Sequence, residues 1–183
     1  MRLAASVLLL SLSLSLCALA QTENQTPKAP PTLKSVLLEQ LRTTHNTKDW
    51  FVDGNTAIAG LTPEQANWTD GKGNHSIGQL TYHLVFWNRQ NLARLKGEKP
   101  AAFSGNNDET FTKFDSKTWN DTVQQLDQVM NDLEKWVETA DEAKLQESAQ
   151  VFTHISTHNA YHIGQIILVR KEQGVWDPKN GVN

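Results

Sequence analysis

The chain has 183 residues, 38% of them hydrophobic, and a formal net charge of −3. This length suits a single domain with a sizeable core. The weakly acidic balance argues against nucleic acid and against an anionic membrane surface as partners. Cys17 is the only cysteine, so the rest of the chain offers neither a thiol nucleophile nor a disulfide.

The amino terminus is typical of an export signal. Arg2 supplies the charged start, residues 7–16 form an apolar run, and Ala18-Leu19-Ala20 is a small-x-small cleavage site. We therefore predict a signal peptide over residues 1–20 and a mature chain that begins at Gln21, periplasmic or secreted, with a bacterial source presumed. The mature chain then lacks cysteine, which suits an oxidising compartment.

A lipid anchor at Cys17 is the alternative to cleavage after Ala20. Leu16 stands directly before it, where lipoprotein signals carry a small Gly or Ala, so this alternative is disfavoured. The apolar run is also shorter than the ~20 residues that a membrane-spanning helix needs. We expect no stable membrane insertion once the signal has been removed.

Behind the signal, residues 21–31 are rich in Thr, Gln and Pro and lack large apolar side chains. This composition predicts a disordered spacer. From Thr32 onward the apolar residues recur at helical spacing, which predicts one domain over residues 32–178 and a short tail over residues 179–183. Because no β alternation is convincing, the predicted fold is an all-α four-helix bundle.

The first two long helices differ in how clearly their ends are marked. Helix one carries Leu33, Leu37 and Leu41 on one face, and we expect it to continue unevenly past His45 towards residues 50–51. Pro63 after Thr62 predicts a short capped turn. Helix two begins with the capping-box pattern Ser76-Ile-Gly-Gln79 and ends near Gly97. Its apolar face is predicted to contain Ile77, Leu80, Leu84 and Trp87.

The other two helices show alternating steps of four and three, as an antiparallel bundle requires. Helix four ends near Gly174. The inward positions of helix three are Trp119, Val123, Leu126, Met130, Leu133 and Val137. Those of helix four are Val151, Ile155, His158, His162, Gln165 and Val169.

Helix four contains three histidines at steps of four. His158 and His162 follow the inward positions, whereas His154 lies one position off. One helical turn leaves the first two about 6 Å apart along the axis, close enough to share one metal ion. His83 on helix two also points inward and is the third candidate. On spacing alone, metal ligation and a hydrogen-bonded place in the core both remain open for these rings, and for His45 and His75 the core interpretation is favoured.

The His158-Asn-Ala-Tyr-His162 motif is not that of a zinc protease. Asn159 stands where a metalloprotease helix places its catalytic Glu, so the usual general base is missing. Peptide hydrolysis by that route is disfavoured.

Three motifs resemble the DinB/YfiT-like superfamily of metal-binding four-helix bundles. They are Ser76–His83, His158–Gln165 and Gln173–Trp176, and the resemblance covers residues 32–178. It implies a bundle with one divalent ion, most often zinc or nickel, held by three histidines, which here are His83, His158 and His162. Members of the family commonly form homodimers, so the resemblance also implies a possible homodimer.

This chain departs from the family pattern at the second motif. The family usually reads His-His-Arg-Gly-Gln, whereas here Tyr161 precedes His162 and Ile163 replaces the Arg. Some relatives transfer groups to low-molecular-weight thiols. Export disfavours that role here, because such thiols are kept reduced mainly in the cytosol.

Several other side chains are candidates for the pocket or for supporting the ligands. Gln165 follows His162 by three residues, where its amide can hold the second nitrogen of a ligand imidazole. For every candidate, ordinary packing is the competing interpretation. The remaining candidates are Tyr82, Tyr161 and Asn159 at the mouth, Trp87 as a wall, and His45 as a fourth ligand or the partner of a ligand.

The sequence therefore predicts an exported protein with a mononuclear three-histidine site for a divalent metal. Three imidazoles leave coordination positions open, which is the arrangement of a reactive site. Such an ion polarises a carbonyl or lowers the pKa of bound water, which favours hydrolysis or group transfer on a small substrate. Two alternatives remain: a non-enzymatic module that binds metal or a ligand, and a metal-free structural bundle that acts through dimerisation.

Overall fold

Side-chain caps fix the start of the helices that carry the histidines. The computed structural model describes residues 29–182. Ser76 Oγ accepts the Gln79 backbone N–H at 3.2 Å, and Gln79 Oε1 accepts the Ser76 backbone N–H at 2.9 Å. The predicted capping box is therefore confirmed. Asp141 caps the last long helix in the same way, by accepting the Lys144 N–H at 2.9 Å.

Residues 29–182 form seven α-helices and two 3-10 turns, with no β-strand among them. The helices are α1 (Leu33–His45), α2 (Gly54–Ile58), α3 (Pro63–Asn67), α4 (Ile77–Leu95), α5 (Glu109–Thr112), α6 (Trp119–Thr139) and α7 (Glu142–Glu172). The turns are Ser116–Thr118 and Pro178–Asn180. The all-helical prediction is confirmed, and α3 lies at the predicted capped turn. The predicted signal peptide and most of the spacer lie outside the described residues.

The long helices α1, α4, α6 and α7 enclose the core. Both α1 and α4 pack against α6 and against α7. The predicted inward face of α6 is buried at Leu126, Met130, Leu133 and Val137. Gly97 and Gly174 end α4 and α7 as predicted, with φ angles of 72° and 77° that favour glycine. No helix in the described part of the chain combines the length and the apolar character needed to cross a membrane.

The expected extension of α1 is wrong. The helix ends at His45, and the backbone N–H of Asn46 closes its last turn on the Arg42 carbonyl. Trp50 is 89% exposed, so it does not continue the buried face. The backbone leaves the helical conformation at Asn46, whose φ is −142°, and the next helix begins only at Gly54, with Asp53 as its cap.

In the amino-terminal half of α7, the buried positions differ from the predicted ones. Val151 is 37% exposed, whereas Phe152 is completely buried and packs against Trp136 with ring centroids 5.4 Å apart. The helix packs against α1, α2 and α4, so its buried face is wider than a single stripe. Asn159 consequently lies in the core, with an exposed fraction of 1%.

Arg170, near the end of α7, joins two distant pieces of backbone. Its guanidinium is buried and donates to the Ala57 carbonyl at 2.8 Å and to the Val175 carbonyl at 3.3 Å. The side chain also lies 5.3 Å from the ring centroid of Trp176. Backbone carbonyls thus solvate this cation, and burial lowers the pKa of its guanidinium.

Candidate metal centre

The structure brings together the three histidines that the sequence selected. One nitrogen from each of His83, His158 and His162 lies within 4.8 Å of the other two. His83 comes from α4 and the other two from α7. His154, one turn earlier on α7, is exposed and lies outside this trio.

His83 is held by a hydroxyl from α5. Its Nδ1 lies 2.6 Å from Thr110 Oγ1, and Thr110 donates its own proton to the Asn107 carbonyl at 2.6 Å. Since that proton is used, Thr110 accepts from His83 Nδ1–H. The Nε2 atom of His83 is therefore the bare nitrogen, and it faces the other two rings.

His162 is oriented by Gln165 in the same way. Its Nδ1 lies 2.6 Å from Gln165 Oε1, so Nδ1–H donates to the amide oxygen and Nε2 is left bare. The Gln165 amide nitrogen in turn donates to the Tyr161 hydroxyl at 3.3 Å. The predicted contact between Gln165 and a histidine is present, and it fixes the ring tautomer as such contacts do in metal sites.

The third ring completes a donor set suited to a divalent ion. His158 Nε2 lies 3.1 Å from His83 Nε2. Two nitrogens bound to one tetrahedral zinc at ~2.05 Å would be about 3.3 Å apart. Without an ion, one of the two nitrogens must donate a proton to the other. A cation between them would replace that proton, and neutral imidazoles are the ligands that zinc and nickel accept.

The surroundings keep all three rings neutral. Burial, together with the neighbouring histidines, lowers the pKa of His83 to about 3. Burial and His158 lower the pKa of His162 to about 4, against the opposing effect of the Gln165 hydrogen bond. Burial also lowers the pKa of His158. Protons therefore do not compete for these nitrogens near neutral pH.

The cluster opens into a cavity of about 390 Å³. Trp87, a candidate for a wall, is among the residues that line it, and its indole N–H donates to Asn107 Oδ1 at 3.2 Å. Asn91 and His154 also line the cavity. Among the described residues, none of those that line it is a carboxylate, so the nearest candidate for proton transfer is His154.

The other sequence candidates lie elsewhere. Tyr82 lines a different cavity. Asn159, a candidate for the mouth, is buried and accepts from Asn88 at 3.0 Å, in line with the competing interpretation of ordinary packing. His45 is not among the clustered nitrogens. Its ring is 1% exposed and lies between Glu134 Oε1 at 2.6 Å and Asp127 Oδ1 at 2.9 Å, so the core interpretation of His45 is confirmed.

Sequence reasoning missed the contribution of α5. Phe111 stacks on His83 with centroids 4.0 Å apart, and on its other face on His75 at 3.9 Å. The expectation of a core position for His75 is wrong, because its side chain is exposed on the outer face of this stack. A helix of four residues is too short to give a periodic signal, so neither Thr110 nor Phe111 was detectable by pattern.

Comparison with known families gives a match to this chain. The model described as the DinB superfamily matches residues 55–166, a span that includes all three clustered histidines. No curated protein and no solved structure matches the chain.

Proposed function

Because the chain belongs to the DinB superfamily, we propose that it is an exported four-helix-bundle protein with one divalent metal, zinc or nickel, held by His83, His158 and His162. We further propose that the site supports hydrolysis or group transfer on a small substrate in the cavity. One observation carries the proposal: three neutral, inward-facing imidazoles come together at the base of an open cavity.

The donor set explains why the ion would be reactive. Three protein ligands leave one or two positions open, in contrast to a closed structural site with four. A bound divalent ion supplies Lewis acidity towards a substrate oxygen and lowers the pKa of coordinated water. Thiol transfer is a weaker candidate for an exported chain, for the redox reason given above.

The residues of the chain contribute orientation and exclusion of water. Thr110 and Gln165 fix the tautomers of His83 and His162 through their Nδ1 atoms. Phe111 and Trp87 cover the rings and limit the access of water. At the rim, His154 lies where it can exchange a proton with a bound substrate, and Asn91 offers hydrogen bonds for a polar group.

A second candidate function is a non-enzymatic metal- or ligand-binding module. The observation that favours it is the cavity lining, which in the described part of the chain has no carboxylate that could act as a general base. A possible homodimer is compatible with either function, and light scattering on the purified protein would determine the oligomeric state.

The decisive experiment is metal analysis of protein purified without an affinity tag. We expect about one equivalent of zinc or nickel in the wild type and a nearly complete loss in His158→Ala. His154→Ala is the matched control, because it removes an imidazole from the same helix and cavity but outside the trio, and it should retain metal. Wild-type protein that holds no metal after incubation with either ion would refute the proposal.

Activity would then separate enzyme from binder. A panel of ester, amide and thiol-transfer substrates is assayed with the metal-loaded wild type, the chelated protein and His158→Ala. Turnover that requires the metal supports the enzyme. Turnover that survives chelation contradicts a catalytic metal, and metal binding with no turnover favours the binding module.

A further inference from the structure

The histidine cavity is a groove between α4 and α7, and two contacts show that the helices run antiparallel along it. His83 lies against His162, with ring centroids 4.7 Å apart. Asn88, five residues later on α4, donates to Asn159, three residues earlier on α7. Later positions on α4 therefore face earlier positions on α7.

The lining residues of the two helices follow the groove one helical turn at a time. They include His83, Trp87 and Asn91 on α4, and His162, His158 and His154 on α7. Burial decreases in this order, from the buried His83 and His162 to the partly exposed Asn91 and the exposed His154. Eight helical residues span about 12 Å. A ligand that contacts both the buried rings and Asn91 must therefore be extended.

Asn91 and Asn107 offer hydrogen-bond donors to such a ligand. Asn91 Oδ1 accepts from the Arg94 guanidinium at 3.3 Å, and Asn107 Oδ1 accepts from the Trp87 indole at 3.2 Å. These donors fix which atom of each amide is the oxygen. Within residues 29–182, neither amide NH2 group has an acceptor. The polar atoms still available are thus donors, and a carboxylate accepts from them.

The charges around the groove favour an acid. Among the described residues that line it there is no Asp or Glu, so three neutral imidazoles would leave the charge of a divalent ion uncompensated. Arg94 adds a positive charge beside Asn91 at the outer end. Its side chain is exposed, and in the described part of the chain no carboxylate forms an ion pair with it.

We propose that the substrates of the histidine cavity are extended organic acids, with a carboxylate that binds Asn91 and Arg94 about 12 Å from the group that reacts at the three histidines. The part between these two groups is apolar and packs against Trp87 and Ile155, which line the groove. The inference rests on the proposed metal function and adds the class of substrate. Asn91 and Arg94 are its specificity-determining residues.

The test is calorimetric titration of the zinc-loaded protein with sebacate, a linear dicarboxylate whose ends lie about 11 Å apart when extended. One carboxylate takes the place of the reacting group, and the other takes the place of the acidic end. Decanoate has the same length but a single carboxylate, so it is the matched ligand. We expect sebacate to bind about tenfold more tightly than decanoate, which corresponds to about 1.4 kcal/mol.

Two variants locate the second carboxylate. Asn91→Ala should weaken sebacate binding about tenfold, and Arg94→Ala about threefold because an exposed ion pair contributes less. Both should bind decanoate like the wild type. Lys96→Ala is the matched control, since Lys96 is an exposed cation at the same helix end but does not line the groove, and it should keep the preference for sebacate. Circular dichroism and the melting temperature verify that each variant is folded.

Two results would overturn the inference alone. One is zinc-loaded wild type that binds sebacate no more tightly than decanoate. The other is a wild-type preference for sebacate in both Asn91→Ala and Arg94→Ala. Neither result affects the metal analysis. Wild-type protein that takes up no metal would instead refute the proposed function and this inference with it, and the zinc content of the titrated sample separates the two cases.

Discussion

Two sets of buried histidine rings in this fold have opposite surroundings. Between α1 and α6, both nitrogens of His45 face carboxylate oxygens of Glu134 and Asp127. Between α4 and α7, His83 instead meets a hydroxyl at one nitrogen and another imidazole at the other. Burial alone therefore does not identify a ligand. The identifying feature is an unprotonated ring nitrogen that faces the ring nitrogens of neighbouring histidines.

The two surroundings also suit different purposes: that of His45 stabilises the fold, and that of the three clustered histidines suits the binding of a cation. Hydrogen bonds from Asn55 and His45 lower the pKa of Asp127, so His45 favours the charged form of a neighbouring carboxylate and ties two helices together. Within residues 29–182 the three clustered rings have no carboxylate partner, and burial and mutual repulsion oppose their protonation. Such a cluster contributes little to the stability of the metal-free protein and is suited to a cation.

The largest effect on the free energy of unfolding is expected from a change at His45, the histidine that has carboxylate partners. His45→Ala should lower the free energy of unfolding by on the order of 3 kcal/mol, because it leaves a cavity and deprives the mostly buried Glu134 of a partner. Urea denaturation measures the loss. Metal content should stay at the wild-type level; if metal is lost as well, the two regions are not independent.

The pH dependence of the chelated protein tests the cluster. Folding holds the pKa of His83 at about 3 and that of His162 at about 4, below the unfolded value of about 6.5. The unfolded chain therefore binds more protons below pH 6.5, and stability falls as the pH is lowered. Two fully unscreened shifts would give a loss of about 4 kcal/mol between pH 7 and pH 5. Because the rings border a cavity that is open to solvent, water screens them, and we expect about half of that loss, on the order of 2 kcal/mol.

A double variant provides the control for that measurement. His83→Gln with His162→Gln removes two of the three rings whose pKa is lowered, so its stability should vary less over the same interval, in which most carboxylates stay ionised. Thermal unfolding at each pH gives the comparison. An equal slope in the wild type and the double variant would contradict the assignment.

A smaller effect is expected from the residue that orients His162. Gln165→Leu removes the acceptor for Nδ1–H, so the ring can rotate or change tautomer, and affinity for zinc should fall 10- to 100-fold. Competition with a zinc-binding dye measures it. Gln146→Leu, a change on an exposed part of the same helix, should leave affinity unaltered. Wild-type affinity in Gln165→Leu would show that the contact does not position the ring.

The smallest effect on zinc affinity is expected from Tyr161, which contacts Gln165 and not the histidine itself. Tyr161→Phe removes a hydroxyl that accepts from Gln165 at 3.3 Å on a side chain that is 63% exposed. A long, solvent-accessible hydrogen bond contributes little, so zinc affinity should change less than about threefold. The same dye competition applies. A loss as large as that of Gln165→Leu would mean that the tyrosine, and not the glutamine, controls the orientation.

Local patterns predicted the fold well where one residue decided the structure. The Ser76–Gln79 capping box and the stops at Gly97 and Gly174 depend on short-range hydrogen bonds and φ angles, and all three are as expected. The choice of His83, His158 and His162 followed from helical spacing, and the structure brings these rings together.

The failures share a physical cause, which is tertiary packing. Val151 fits a narrow stripe but lies on the exposed side of a helix whose buried face is widened by three neighbours. Asn159 was a candidate for the mouth with packing as its alternative, and only the tertiary contact with Asn88 shows that it lies in the core. Thr110 and Phe111 contact His83 from a four-residue helix, which is too short to show the hydrophobic periodicity from which such a contact could be predicted.

The bridge made by Arg170 has a practical consequence for altered versions of the chain. Its guanidinium binds the end of α2 and the carbonyl of Val175 at once, so Arg170 connects the residues just after α7 to a helix that is distant in sequence. Deleting the chain from Gly174 onward should loosen the α2 segment, although that segment is about 115 positions away in sequence. Affinity tags and fusion partners are therefore better joined beyond Asn180.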